Sequence, residues 1–132
     1  MKFAAWYGIL VGLLMIAQWM VSILTGGVPE FQTAPWEIAF HLAAEMSTAA
    51  LLVAGGIAAL KSIRRARELL LLGLGMVIYS EMVSPGYFAQ LGQWMLTAMF
   101  AVLFCGAIWS VIRLLMESEK STTHLGSHIQ NM

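Results

Sequence analysis

Apolar residues run almost unbroken through 3–24, 36–60, 69–83 and 94–115, and polar or turn-forming residues are confined to the short stretches between them. The hydrophobicity is continuous rather than alternating, which excludes the period-two pattern of a barrel strand. Crossing a hydrocarbon core about 30 Å thick takes roughly 20 helical residues. Three of the runs meet that length. The third covers only about 22 Å at 1.5 Å per residue and is expected to recruit the stems of Arg65 and Arg67, which snorkel outward. The pattern predicts transmembrane helices at about 3–25, 36–60, 66–84 and 92–116. The expected fold is all-α, an integral-membrane up-and-down four-helix bundle forming one domain over residues 1–116, with 117–132 as a polar, flexible cytoplasmic tail.

Composition agrees with that pattern. Of the 132 residues 60% are hydrophobic and only 11% charged, less than half the roughly 25% charged residues of a soluble domain, so the chain has too little polar surface to solvate a globule. Seven basic residues balance seven acidic ones, which removes any general case for nucleic-acid binding. Lys2 precedes the first run as it would in a secretory signal. The run exceeds an h-region of about 7 to 15 residues and no small-x-small cleavage site follows it, so it is expected to stay as an anchor.

The basic residues also orient the bundle. Lys2, Lys61, Arg64, Arg65, Arg67, Arg113 and Lys120 all fall on one side of an up-and-down path, whereas the two opposite connections carry none. The positive-inside rule then places both termini in the cytoplasm of a multi-pass cell-membrane protein. Glu30 and Glu37 lie outside, with Trp36, Tyr87 and Trp94 as an interfacial aromatic belt. The basic loop is explained as a topology signal, and binding of anionic headgroups is a further reading of the same residues.

Small residues recur at helix-packing spacings: Gly8 with Gly12, Ala50 with Ala54 and Ala58, and Thr97 with Ala101 and Cys105. They suit contacts within the chain or a homo-oligomer face. Pro29, Pro35 and Pro85 are placed in the outer connections, outside helix interiors. Cys105 reads as a packing residue. His124 and His128 have a metal-ligand spacing only if the tail is helical, and Gly126 between them argues against that.

The informative passage opens the second predicted helix. Glu37, His41, Glu45 and Thr48 follow a spacing of four, four and three, which puts them on one face, and the stripe continues as Leu52, Gly55, Gly56 and Ala59. Such a face is expected to look into the bundle. Glu81 near the outer end of the third helix, Gln18 and Ser22 in the first, and Gln93 and Thr97 in the fourth reach a similar depth. An ionised acid at the bilayer centre costs about 2.5 to 3.5 kcal/mol. Either His41 and Glu45 satisfy each other and lock packing, or the group of His41, Glu45, Glu81, Gln18, Thr48, Gln93 and Thr97 is a ligand or proton site.

Several chemistries fit those side chains. His41, Glu45 and Glu81 could ligate zinc or a related divalent metal, and the outer-half methionines with His41 could hold copper(I). His41 and Glu45 could relay protons, or hydrogen-bond the head of a lipophilic molecule such as a quinone. Bis-histidine haem is disfavoured, because His41 is the sole intramembrane imidazole. No serine or cysteine has a histidine and an acid at a recognisable catalytic spacing, so no enzyme activity is assigned. The leading expectation is a small ligand or cation bound at this cluster in the lipid bilayer and coupled to transport. The alternative is a non-catalytic accessory or assembly subunit of a membrane complex.

Overall fold

The computed structural model describes the backbone of residues 1–130 and the side chains of residues 1–117. The backbone of the tail is helical through Gly126 to Gln130, contrary to the expectation that Gly126 argues against a helix there, while the side chains beyond Glu117, His124 and His128 among them, lie outside the described residues. The elements are α1 (Lys2–Leu24), a single turn α2 (Glu30–Thr33), α3 (Pro35–Leu60), α4 (Ala66–Gln90) and α5 (Trp94–Gln130). Four of them, α1, α3, α4 and α5, are long and apolar enough to cross a membrane.

Named contacts set the topology. Gly8 and Gly12 of α1 lie against Leu52 and Ala49 of α3, and Gly56 lies against Ala5, so the two helices run antiparallel. Gly73 of α4 abuts Leu52, Gly55 abuts Leu70, and Ser80 meets Glu45, which makes α3 and α4 antiparallel as well. Phe88 stacks on Phe100 at the far end, and Arg67 Nε donates to the Leu114 carbonyl at 3.3 Å at the other, which fixes α5 on α4. The N-terminal ammonium pairs with Glu117 and the Tyr7 hydroxyl bonds the Leu103 carbonyl, closing α5 back onto α1. The result is an up-and-down bundle with Lys2, the 61–65 turn, Arg67 and Arg113 gathered at one end.

Side-chain size divides this bundle into two halves. Towards the basic end, glycines bring backbones together: a Cβ on Gly12 would stand 2.8 Å from the Ala49 carbonyl oxygen, and one on Gly56 2.6 Å from that of Ala5. Leu52, Leu70, Leu74 and Leu114 fill the core between these seams. Towards the far end the α1 side chains are bulky, and no residue of α1 beyond Gly12 is buried. In that half α1 therefore contributes no buried residue to the core. Ala50, Ala54, Ala101 and Cys105 lie on the outside of the bundle, so these members of the small-residue stripes make no core contact.

The third predicted helix needs correction. α4 has 25 residues, with Pro85 inside it, and so spans about 37 Å without recruiting arginine stems. Proline removes one backbone donor and strains one turn, but a membrane helix that re-satisfies the freed carbonyl locally can continue past it. The side chain of Arg67, instead of snorkelling, turns to α5.

The connections share one device. α1 and α4 both close with a bond from the third residue past the helix back to the last full turn, Gly27 N to Ser22 O at 2.9 Å and Gln93 N to Phe88 O at 3.0 Å. Gly26 and Gly92 take the left-handed position that this C-cap requires. α3 ends the same way, with Ile63 N bonded to Ala58 O at 2.9 Å, but Ser62 holds the left-handed position at φ 53°.

Candidate functional site

α3 and α4 carry an acid each to the same level. Glu45 lies ten residues into α3 and Glu81 nine residues before the end of α4, so both stand about 14 to 15 Å from the far end of the bundle. Ser80 donates its hydroxyl to Glu45 Oε1, tying the two helices together there. Glu81, the next residue, is 4% exposed, and neither of its carboxyl oxygens meets a hydrogen-bond donor among the described residues. Ser80 and Glu81 are consecutive, so the bond from Ser80 sets both acids at one level of the paired helices.

A third helix reaches this level from below. Tyr7 rises from the first turns of α1, and its hydroxyl donates to the Leu103 carbonyl of α5. Leu103 is nine residues into α5, the same depth as Glu81. The ring fits because Gly106 has no side chain: a Cβ there would stand 2.6 Å from Tyr7 Cε2. Glycine lets the tyrosine lie flat on α5, which brings a hydroxyl up to the level of the carboxyls. Tyr7→Phe is expected to cost about 0.5 to 1 kcal/mol, measured by denaturant titration in micelles. A cost well above this range would mean that the hydroxyl also supports Glu81.

The other sequence-predicted residues separate from this pair. The lower part of the α3 stripe, Thr48, Leu52, Gly55, Gly56 and Ala59, is buried as its spacing predicts, but Glu37 and His41 lie on the outside. His41 packs edge-on against Trp19 of α1, ring centroids 5.7 Å apart, while Glu45 takes its bond from Ser80. Thr48 returns its hydroxyl to the Ala44 carbonyl at 2.8 Å. Gln18 is exposed, Gln93 sits in the connection before α5, and Thr97 bonds the Gln93 carbonyl at 3.2 Å. Of the seven residues, the structure brings Glu45 and Glu81 together and adds Ser80 and Tyr7.

The donor set limits the chemistry. Among the described residues no three His, Cys, Asp or Glu side chains are grouped to hold a metal ion, which corrects the reading of His41, Glu45 and Glu81 as one metal site. The reason is the His41 ring, which faces α1 and Trp19. What remains is two acids with a serine hydroxyl and a tyrosine at the same level, in a half of the bundle where α1 buries no residue. Tyr7 carries no sequence motif. The one signal that could have found it is a hydroxylated ring in an apolar run, to be matched with a glycine on another helix.

No curated protein and no solved structure matches the chain. Residues 1–125 match the family model described as Domain of unknown function (DUF8058), and the chain belongs to that family.

Proposed function

We propose that this is a multi-pass protein of the cell membrane, with both termini cytoplasmic, that binds a small monovalent cation between Glu45 and Glu81 and couples that binding to movement of the cation. The observation that carries the reading is Glu81, 4% exposed and with both oxygens unbonded among the described residues. A carboxyl that makes no hydrogen bond does not lock helix packing. Placing an acid within the span opposes insertion, and a second carboxyl beside it adds like-charge repulsion.

Among the described residues no cationic side chain pairs with either acid. Arg67, the nearest basic residue along α4, lies fourteen residues from Glu81, about 21 Å of helix. A small cation between the two carboxyl groups would supply both the charge and the missing contacts. The far half, where α1 buries no residue, favours entry from outside, and the glycine seams below oppose passage to the basic end in this conformation. Buried acids in membrane helices are characteristic of ion pathways. The orientation rests on the gathering of basic residues at the end of the bundle that holds the N-terminus.

Dicyclohexylcarbodiimide, which modifies carboxyl groups in apolar surroundings, tests this in proteoliposomes. Modification is expected to map to Glu81. Sodium, potassium or methylammonium should slow it by about tenfold once the bound ion reaches roughly ten times its dissociation constant, and Glu45→Gln should remove that protection. Equal labelling rates in the presence and absence of all three cations would overturn the reading.

A further inference from the structure

The turn between α3 and α4 breaks several local rules at once. Lys61, Arg64 and Arg65 are exposed within five residues, and Arg67 follows in the first turn of α4. Cations at a helix N-terminus oppose the helix dipole, yet three arginines stand at the start of α4. Arg65, its N-cap, makes no side-chain capping bond. Ser62 and Arg65 both hold left-handed backbone conformations, φ 53° and 66°, which are unfavourable for residues with a Cβ. Glycine fills the equivalent position in the other two connections.

Glu68 in the first turn of α4 answers part of that dipole cost, but no described carboxylate pairs with the cations of the turn. Glu68 and Glu117 are the acids of this end among the described residues. Glu117 pairs with the N-terminal ammonium, and no described carboxylate lies within 4.0 Å of Lys61, Arg64, Arg65, Arg67 or Arg113. Arg67 is held by its bond to the Leu114 carbonyl, which draws the start of α4 against α5 beside Arg113. A topology signal requires only that the positive charges be present. It does not require them concentrated where they repel one another and where Arg65 occupies strained backbone, even though Lys61, as the C-cap of α3, suits the dipole of that helix.

We infer that Lys61, Arg64 and Arg65, flanked by Arg113, bind a phosphate-bearing anion, supplied by the headgroup of an acidic phospholipid in the leaflet at this end of the bundle. One phosphodiester supplies the negative charge that the turn lacks, and the interface is where lysine and arginine hold such headgroups. The inference rests on the bilayer reading but not on the Glu45 and Glu81 site, so carbodiimide labelling and lipid binding can fail separately.

The test uses the purified full chain in neutral detergent, following thermal unfolding while phosphatidylglycerol, phosphatidylcholine or inorganic phosphate is titrated. Phosphatidylglycerol is expected to raise the unfolding temperature at concentrations where phosphatidylcholine does not. The combined variant Lys61→Gln, Arg64→Gln, Arg65→Gly should lower the apparent affinity by roughly fivefold for each cation removed. Arg64→Gln alone, at an exposed position, should give one such step and guards against a misfolded triple variant. Ser62→Gly, which relieves backbone strain and keeps every charge, should respond as the parent does. Inorganic phosphate that reproduces the shift, and loses it in the same variants, would assign these cations to a soluble phosphate group. Equal responses to the two lipids, or undiminished phosphatidylglycerol affinity in both charge variants, would overturn the proposal.

Discussion

Gly56→Leu is expected to destabilise the bundle by about 3 kcal/mol, the largest loss of any single change at a helix seam. The first added carbon already stands 2.6 Å from the Ala5 carbonyl oxygen and 2.6 Å from Ile9 Cγ1. Ile9 could change rotamer, but a backbone carbonyl can retreat only if α1 moves as a body. That motion would open the Gly8 and Gly12 contacts on the same seam, so the cost spreads along both helices. Gly8 is a milder site, because its nearest obstacle is the end of the Leu70 side chain at 2.9 Å. Gly75, with nothing within 4 Å of an added Cβ, is the control: Gly75→Leu should change stability by no more than about 0.5 kcal/mol. Titration of the reconstituted chain with sodium dodecyl sulfate, followed by tryptophan fluorescence, measures both. Equal midpoints for Gly56→Leu and the parent would show that α1 and α3 do not meet at this seam.

Glu81→Met is expected to act in the opposite direction, stabilising the bundle by about 1 to 3 kcal/mol. A buried carboxyl without a partner forfeits its solvation and gains nothing in exchange, whereas methionine of similar length supplies only apolar contact. Replacing a buried polar group by an apolar one of like shape is neutral or favourable when no hydrogen bond is lost. Glu45 makes the contrast, because it accepts a bond from Ser80, and Ser80→Ala should cost about 1 kcal/mol. A gain in stability at Glu81 together with loss of cation protection at the remaining carboxyl is the pattern of a residue kept for function at the expense of stability. A loss in Glu81→Met as large as a core truncation would instead make Glu81 a structural group.

The four-helix architecture was legible in the letters because continuous hydrophobicity of sufficient length has one low-energy outcome in lipid, a helix that satisfies its own backbone. The lower α3 stripe was legible for a related reason: Leu52, Gly55, Gly56 and Ala59 share a face and are small enough to bury. Helix ends were less so. Pro85 reads as a stop but lies inside α4, since the penalty for one missing donor is outweighed by continuing an apolar helix. The candidate site was half legible. Glu45 and Glu81 are anomalous on composition alone, but depth along a helix does not say which neighbour a side chain meets. His41 shares the face of Glu45 and still packs on Trp19, because that contact depends on where α1 lies beside α3, which the sequence of α3 does not contain.

The sequence by itself determined that this chain forms four long apolar helices, that its basic residues share one end, and that two acids stand in spans where acids are costly. Those properties depend on the hydrophobicity, charge and order of residues along one strand of chain. Only the tertiary structure decided that Glu45 is bonded while Glu81 meets no donor among the described residues, that Tyr7 joins their level through the gap left by Gly106, and that glycines close the seam between α1 and α3 towards the basic end. Each of these depends on the distance between two helices, which is fixed by the pair of side chains that happen to face each other and is written in neither helix alone.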